Sequence, residues 1–232
     1  MSAEQHAQCE RLIAQFDNFV DGIFAPLEAW LPRLQQQLAE RLAAGPLTGA
    51  QLTSLVEADA HAVLESTDRP LYGAGFCAAE TVVTEGNPLA WWQGPDRALL
   101  ASSTFGPGQA AIDLQRLEWF RVPAETLERH VAGPFVDYLC SNEITLTSAL
   151  PVVLDGRFVG VLCADVLVAS IENLLLPLLQ TFEGAAIVNS SGRVVVSAHH
   201  AYETGDRFVN DAELVRSARY PFSLALPARV AA

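Results

Sequence analysis

Residues Ile144 to Val166 read ITLTSALPVVLDGRFVGVLCADV, two apolar runs joined by Asp155-Gly156. Both central positions of a type I′ turn require positive φ, which Asp and Gly tolerate, so this dipeptide between apolar runs predicts a two-residue β-hairpin. The strands Ile144 to Leu154 and Arg157 to Val166 are then antiparallel neighbours. An unbroken ladder from that turn sets Leu146 opposite Asp165 and Ser148 opposite Cys163. Apart from Arg157 beside the turn, Asp165 and Ser148 are the polar side chains on that face. A carboxylate among apolar neighbours needs a partner, because burying an unpaired charge costs several kcal/mol.

Outward from the hairpin, the same grammar of short β-rich runs between Gly, Pro, Asn and Asp marks further strands at Leu71 to Val83, Leu89 to Gln93, Ala98 to Phe105 and Phe135 to Cys140. Beyond it, strands are expected at Ala185 to Asn189, Arg193 to Ser197 and Phe222 to Leu226. Short helices are expected at Pro123 to His130, at Val168 to Gln180 with Ile171, Leu174, Leu175 and Leu178 inward, and near Asp211 to Arg219. Ahead of all this, Leu12, Phe16, Phe19, Val20, Ile23, Leu27, Leu31, Leu34, Leu38 and Leu42 recur at mostly three- and four-residue spacings, a helical stripe. Pro26 and Pro32 fall inside it and predict a kink or break. A second helix is expected from Thr48, its cap, to Leu64. The sum is an α+β chain: a helical region over 1–66, then a central antiparallel sheet over 67–232 with the long helices packed on it.

Composition narrows the function. Hydrophobic residues make up 50% of the 232 and charged residues 18%, which favours folding over disorder. With 14 basic against 27 acidic residues the field repels phosphate backbones and anionic headgroups, so neither nucleic acid nor a membrane surface is an expected partner. The first residues show no signal-peptide pattern, and charges interrupt the most apolar stretch, Val152 to Leu179, so a cytoplasmic protein without a membrane span is expected. Cys9, Cys77, Cys140 and Cys163 are too dispersed for a zinc site or a disulfide framework. No nucleophile-elbow, zincin or phosphate-loop motif occurs, His199-His200 lacks further ligands at metal spacing, and neither cofactor nor metal is expected.

The segment from Tyr72 to about Phe208 resembles the Cache domains, PAS-like small-molecule sensors of bacterial receptors. The resemblance is carried by Leu117-Glu118-Trp119-Phe120-Arg121, by Gly133-Pro134-Phe135-Val136-Asp137-Tyr138, by Leu150-Pro151-Val152 before Asp155-Gly156, and by Gly160-Val161 before Ala164-Asp165-Val166. It implies a non-enzymatic sensor in which Trp119 lines a ligand pocket and Asp165 receives a ligand ammonium. Amino-acid-binding members carry an Arg two residues before that Trp; this chain has Leu117 there, with Arg116 and Arg121 nearby. The departure puts recognition of a ligand carboxylate in the usual way in question, so the expected ligand is an amine, an amino acid or a similar small polar metabolite. Such modules usually sit between membrane spans beside a signalling domain, so this one resembles a free-standing member that signals to a partner chain.

Several side chains join the candidate site. An indole face suits a cation or an apolar ligand body, which is the role read for Trp119. Trp91 and Trp92 point to opposite faces of their strand, so one of them at most lines a pocket. Tyr138 and Glu143 precede the hairpin and Tyr72 opens the first strand; each is a candidate contact. Arg121 is a candidate for a ligand carboxylate or for an ion pair with Glu118 or Asp137. Alternative roles remain: Asp165 as the cap of the following helix, Trp119 as core, and the N-terminal helices as a homodimer interface. A rival reading is a small α+β cone enzyme using Asp165, with Tyr138 or a histidine, as general base.

Overall fold

The structure is a computed structural model and describes residues 2–66, 68–100, 113–139, 141–209 and 212–227. The Asp155-Gly156 turn is where the sequence places it, both residues at positive φ, between β7 (Ile144–Leu154) and β8 (Arg157–Leu167). Around this hairpin gather β2 (Leu71–Ala78), β4 (Leu89–Gln93), β5 (Ala98–Leu99) and β6 (His130–Val136). They form a six-stranded antiparallel sheet in the order β5-β4-β2-β8-β7-β6, with β8 held between β2 and β7. The expected strand from Ala98 to Phe105 is seen as far as Leu99, and residues 101–105 lie outside the described residues, as does Cys140.

The ladder is not unbroken. Beside the turn Leu154 faces Arg157 and Val153 faces Phe158, but the next pair is Val152 with Gly160, so Val159 is an extra residue on β8. This bulge advances the register by one. Thr147, not Leu146, faces Asp165, and Ala149 faces Cys163. Gly160 makes the bulge possible: its φ is +149°, and a Cβ there would collide with the Cys77 carbonyl oxygen and the Phe76 ring.

One face of the sheet carries Ala74, Phe76, Trp92, Leu150, Leu162, Ala164 and Val166 into the main core beneath the helices. Helix α1 (Ala3–Leu42) is one continuous helix of 40 residues, about 60 Å at the usual rise, capped by Ser2 and Gln5 in a capping box. The expected break at Pro26 and Pro32 does not occur. Each proline removes one backbone bond, and the buried stripe Leu12, Phe16, Val20, Ile23, Leu27, Leu34 and Leu38 outweighs that loss. Thr48 and Gln51 form the same capping box for α2 (Gly49–Glu65). Between the two helices, β1 (Leu47–Thr48) pairs in parallel with β3 (Val83–Glu85).

Past β8, α4 (Val168–Leu179) buries Val168, Ile171, Leu175 and Leu179, whereas Leu174 and Leu178 face outward against expectation. It leads to a second antiparallel sheet, in the order β10-β9-β12-β11, built from β9 (Ala186–Asn189), β10 (Val194–Ser197), β11 (Ala212–Arg216) and β12 (Phe222–Pro227). The tail strands therefore do not extend the central sheet. The helix expected near Asp211 to Arg219 is the strand β11: its five residues pair along β12, and this ladder outweighs the helix propensity of Ala-Glu-Leu.

Helix α1 packs on β7 and β8 of one sheet and on β11 and β12 of the other, with Phe16 edge-on to Phe222 at 5.0 Å and Phe24 stacked on Tyr220 at 6.0 Å. Two arginines grip it from outside. Arg219 pairs with Asp17 and Asp21, and Arg129 pairs with Asp21 and Glu28 while lying 5.0 Å from the Phe24 ring centre. Among the described residues no helix is long and apolar enough to cross a membrane.

Replacing Gly160 with Ala should cost about 2 to 4 kcal/mol, since both the left-handed backbone and the contact with Phe76 oppose a side chain there. Urea unfolding should show a lower midpoint at unchanged slope. A variant of wild-type stability would mean that the bulge does not need glycine.

Candidate functional site

The opposite face of the six-stranded sheet carries Cys77, Leu89, Trp91, Ala149 and Cys163 and is covered by α3 (Glu118–Thr126). This helix begins five residues earlier than the sequence suggests and ends at Leu127, whose left-handed φ of 57° turns the chain into β6 at His130. The shift puts Trp119 and Phe120 on the helix, both buried against the sheet. Under Trp91 the neighbouring strand has no side chains. A Cβ at Gly73 or Gly75 would meet the Trp91 side chain, at 2.7 and 3.0 Å, so the two glycines let it lie close to the β2 backbone. Its Nε1–H donates to Gln93 Oε1 at 3.1 Å.

Between sheet and helix lies a cavity lined by Leu89, Trp91, Trp119, Phe135, Asp137, Leu139, Thr147, Cys163 and Asp165. Trp119 and Asp165 thus share one wall, as the sequence reading requires. The cavity is small, with room for about 20 Å³ of solvent, little more than one water molecule.

The wall holds two carboxyl groups and, among the described residues, no basic side chain. Asp165 is 4% exposed and accepts one hydrogen bond, from Thr147 Oγ1 at 2.6 Å. The bulge supplies that partner. Burial, then the charge of nearby Asp137, hold the Asp165 carboxyl well above the usual carboxylate range, and the Thr147 bond opposes them. Asp137, just past β6, is also buried; its Oδ1 accepts from the Leu139 N–H at 3.1 Å, and its own N–H donates to the Glu143 carbonyl oxygen. Burial likewise pushes the Cys163 thiol up, so it is no ready nucleophile.

The candidates divide cleanly. Trp119, Asp165 and Trp91 line the cavity. Trp92 does not: it faces the helices, its ring 5.7 Å from His61 of α2. Tyr72, at the register shift between Leu71 and Gly73 of β2, is not in the cavity wall. Tyr138 is 66% exposed, and Glu143 is exposed with only its backbone holding Asp137. Arg121 points outward and pairs with Glu125 at 2.9 Å, one helical turn on, rather than with Glu118 or Asp137. The helix-cap role read for Asp165 is not taken either, because Leu167 stands at the cap of α4 without a side-chain bond. Nor do Asp165 and Tyr138 form a proton-transfer pair. What the sequence reading missed is Asp137 and Thr147. Thr147 was hidden by the bulge, and Asp137 sits in a loop whose inward turn no periodicity announces.

No protein-family model matches the sequence, and no curated protein does. Solved structures match over nearly the whole chain. The extracellular domain of the putative histidine kinase mmHK1S-Z3 aligns with a TM-score of 0.58 at 12% identity, covering 97% of this chain and 93% of that one. The ligand-binding domain of the Campylobacter jejuni chemoreceptor Tlp3, in complex with L-valine, aligns with a TM-score of 0.58 at 10% identity, covering 96% and 92%. That of the Pseudomonas fluorescens chemoreceptor CtaA, also with L-valine, gives 0.50 at 16% identity, covering 96% and 100%. The fold is thus that of the α+β sensory domains of chemoreceptors and histidine kinases, the Cache-like fold.

A carboxyl whose folded pKa is raised contributes stability that is present below its unfolded value and lost as pH rises through the folded one. Asp165→Asn removes that loss while keeping the shape. The ligand-free variant should be more stable than wild type above neutral pH, by about 1 to 3 kcal/mol, the cost of one poorly satisfied buried group. Its melting temperature should also vary less from pH 5 to 9. A wild-type pH profile in the variant would show that Asp165 is not the strained group.

Proposed function

We propose that this chain is a non-enzymatic sensor module whose cavity takes a small cationic amine. One observation carries the reading: two buried carboxyl groups, Asp165 and Asp137, share an apolar cavity with no basic side chain in its described wall. An ammonium placed beside them supplies a counter-charge to Asp165 and donates to its carboxylate, a charge-assisted hydrogen bond roughly twice as strong as a neutral one. Trp91, Trp119, Leu89, Phe135 and Leu139 receive the carbon body, and the indole faces add cation-π attraction. An amino acid would bring a carboxylate as well, for which the described wall offers no arginine. L-valine, the ligand of the Tlp3 and CtaA domains, supports recognition of an amino group in this fold.

The small free volume of the cavity makes occupancy a conformational event. An amine larger than a water molecule needs the cavity to widen, and α3, which brings Trp119 to the wall, leads through Leu127 to Arg129, which holds α1. Binding energy selects the opened arrangement, and a partner protein reads the change on the outer helices. In this reading the polar outer face of α1 is the surface available for a partner or a second copy, since its apolar stripe is already buried.

A thermal-shift screen of small primary amines against their amino-acid counterparts tests the proposal. At a hundredfold excess over Kd a true ligand stabilises by about 2.7 kcal/mol, an upward shift of several degrees in Tm. Asp165→Asn and Asp137→Asn should each abolish the shift. Because the ammonium needs an ionised Asp165, affinity should rise with pH until the amine itself loses its proton. Chemical turnover of the amine would favour catalysis, and stabilisation by anions alone would exclude the amine site.

A further inference from the structure

The second sheet has a face that α1 does not use. There Ala186 and Val188 of β9, Val194 of β10 and Ala225 of β12 form a small separate core, partly covered by Tyr202 and Phe208. Beside it an open groove, with room for about 460 Å³ of solvent, runs over β9, β12 and β11. The register sets Arg216, Ser223 and Val188 in one row across the three strands and Leu214, Ala225 and Ala186 in the next. The groove is lined by Val188, Leu214 and Phe208 as apolar surface and by Arg216, Ser190 and Ser223 as polar groups.

Its charge is opposite to that of the first cavity. The chain carries 27 acidic against 14 basic residues, all of the latter arginines, yet no acidic side chain lines this groove among the described residues. Glu213, next to Leu214, falls on the other face with Val215 by strand alternation. Arg129 and Arg219 are held by carboxylates, whereas Arg216 has no ion pair or hydrogen bond among the described residues. The half-buried Ser223 hydroxyl on the neighbouring strand has no partner there either.

We infer that this groove is a second ligand site, one that takes a small organic carboxylate with an apolar body. The guanidinium presents a planar fork matched to a carboxylate, the Ser223 hydroxyl adds a donor beside it, and Val188, Leu214 and Phe208 receive the carbon skeleton. An exposed ion pair alone is weak, so the apolar surface sets the affinity and the arginine sets the sign of charge. A ligand of about ten heavy atoms is then expected to bind with a Kd on the order of 1 mM. The site does not depend on the first cavity.

Benzoate is the probe, titrated into the full chain and followed by nitrogen–proton correlation NMR, with benzylamine as the charge control. Saturable shifts should map to residues 188–192, 212–217 and 222–223. Arg216→Met, which keeps the aliphatic stem, should weaken binding about three- to fivefold, and Ser223→Ala about twofold. Asp165→Asn should leave benzoate affinity unchanged. The inference is overturned if benzoate does not saturate these resonances, if Arg216→Met binds as wild type, or if benzylamine binds the groove equally well. It is also overturned if sedimentation shows a dimer whose formation covers these residues.

Discussion

The position of one extra residue, Val159, decides which side chain faces the buried Asp165. β8 is the strand that both neighbours pair along most of its length, so its register fixes the faces of β2 and β7 together. Without the bulge the ladder would set Leu146 opposite Asp165, and the carboxyl would face a hydrocarbon. With it, Thr147 supplies the hydroxyl that the buried group requires, at 2.6 Å. The bulge in turn rests on Gly160, whose missing side chain lets β8 pass close to Cys77 and Phe76. A backbone irregularity is thus converted into the polarity of a cavity wall.

That wall is under electrostatic tension. Asp165 lies in a largely apolar space near the charge of Asp137, and its bond from the Thr147 hydroxyl does not compensate for the water it has lost. Proton uptake by Asp165 relieves the repulsion in the absence of a cation. In the proposed function a cation in the cavity relieves it differently, by displacing that proton and stabilising the ionised carboxylate.

Much of this architecture is written locally in the sequence. Asp155-Gly156 fixes the hairpin, the three- and four-residue spacing fixes α1, and Thr48 fixes the start of α2, because each signal lies within one turn or a few helical turns. Long-range competition is not written there. Pro26 and Pro32 read as a break since the packing that overrides them belongs to strands more than a hundred residues away. Ala212 to Arg216 reads as helix until β12 offers it a ladder. For the site, alternation shows that Trp91 and Trp92 diverge but not which of them faces α3; the glycines of β2 settle it. Asp165 and Trp119 could be read from the resemblance, whereas Asp137 depends on a loop that folds inward and Tyr138 and Glu143 on its turning outward.

The grip of arginines on α1 adds a different sensitivity. Guanidinium groups stay charged throughout the ordinary pH range, and Arg129 and Arg219 are each more than a third exposed. Their attraction to Asp21 and Glu28 is therefore within reach of dissolved ions, whose screening acts over about 10 Å at 0.1 M. Acidity acts on the buried Asp165 and salinity on the outer clasp, so the two solvent variables address separate joints of one molecule.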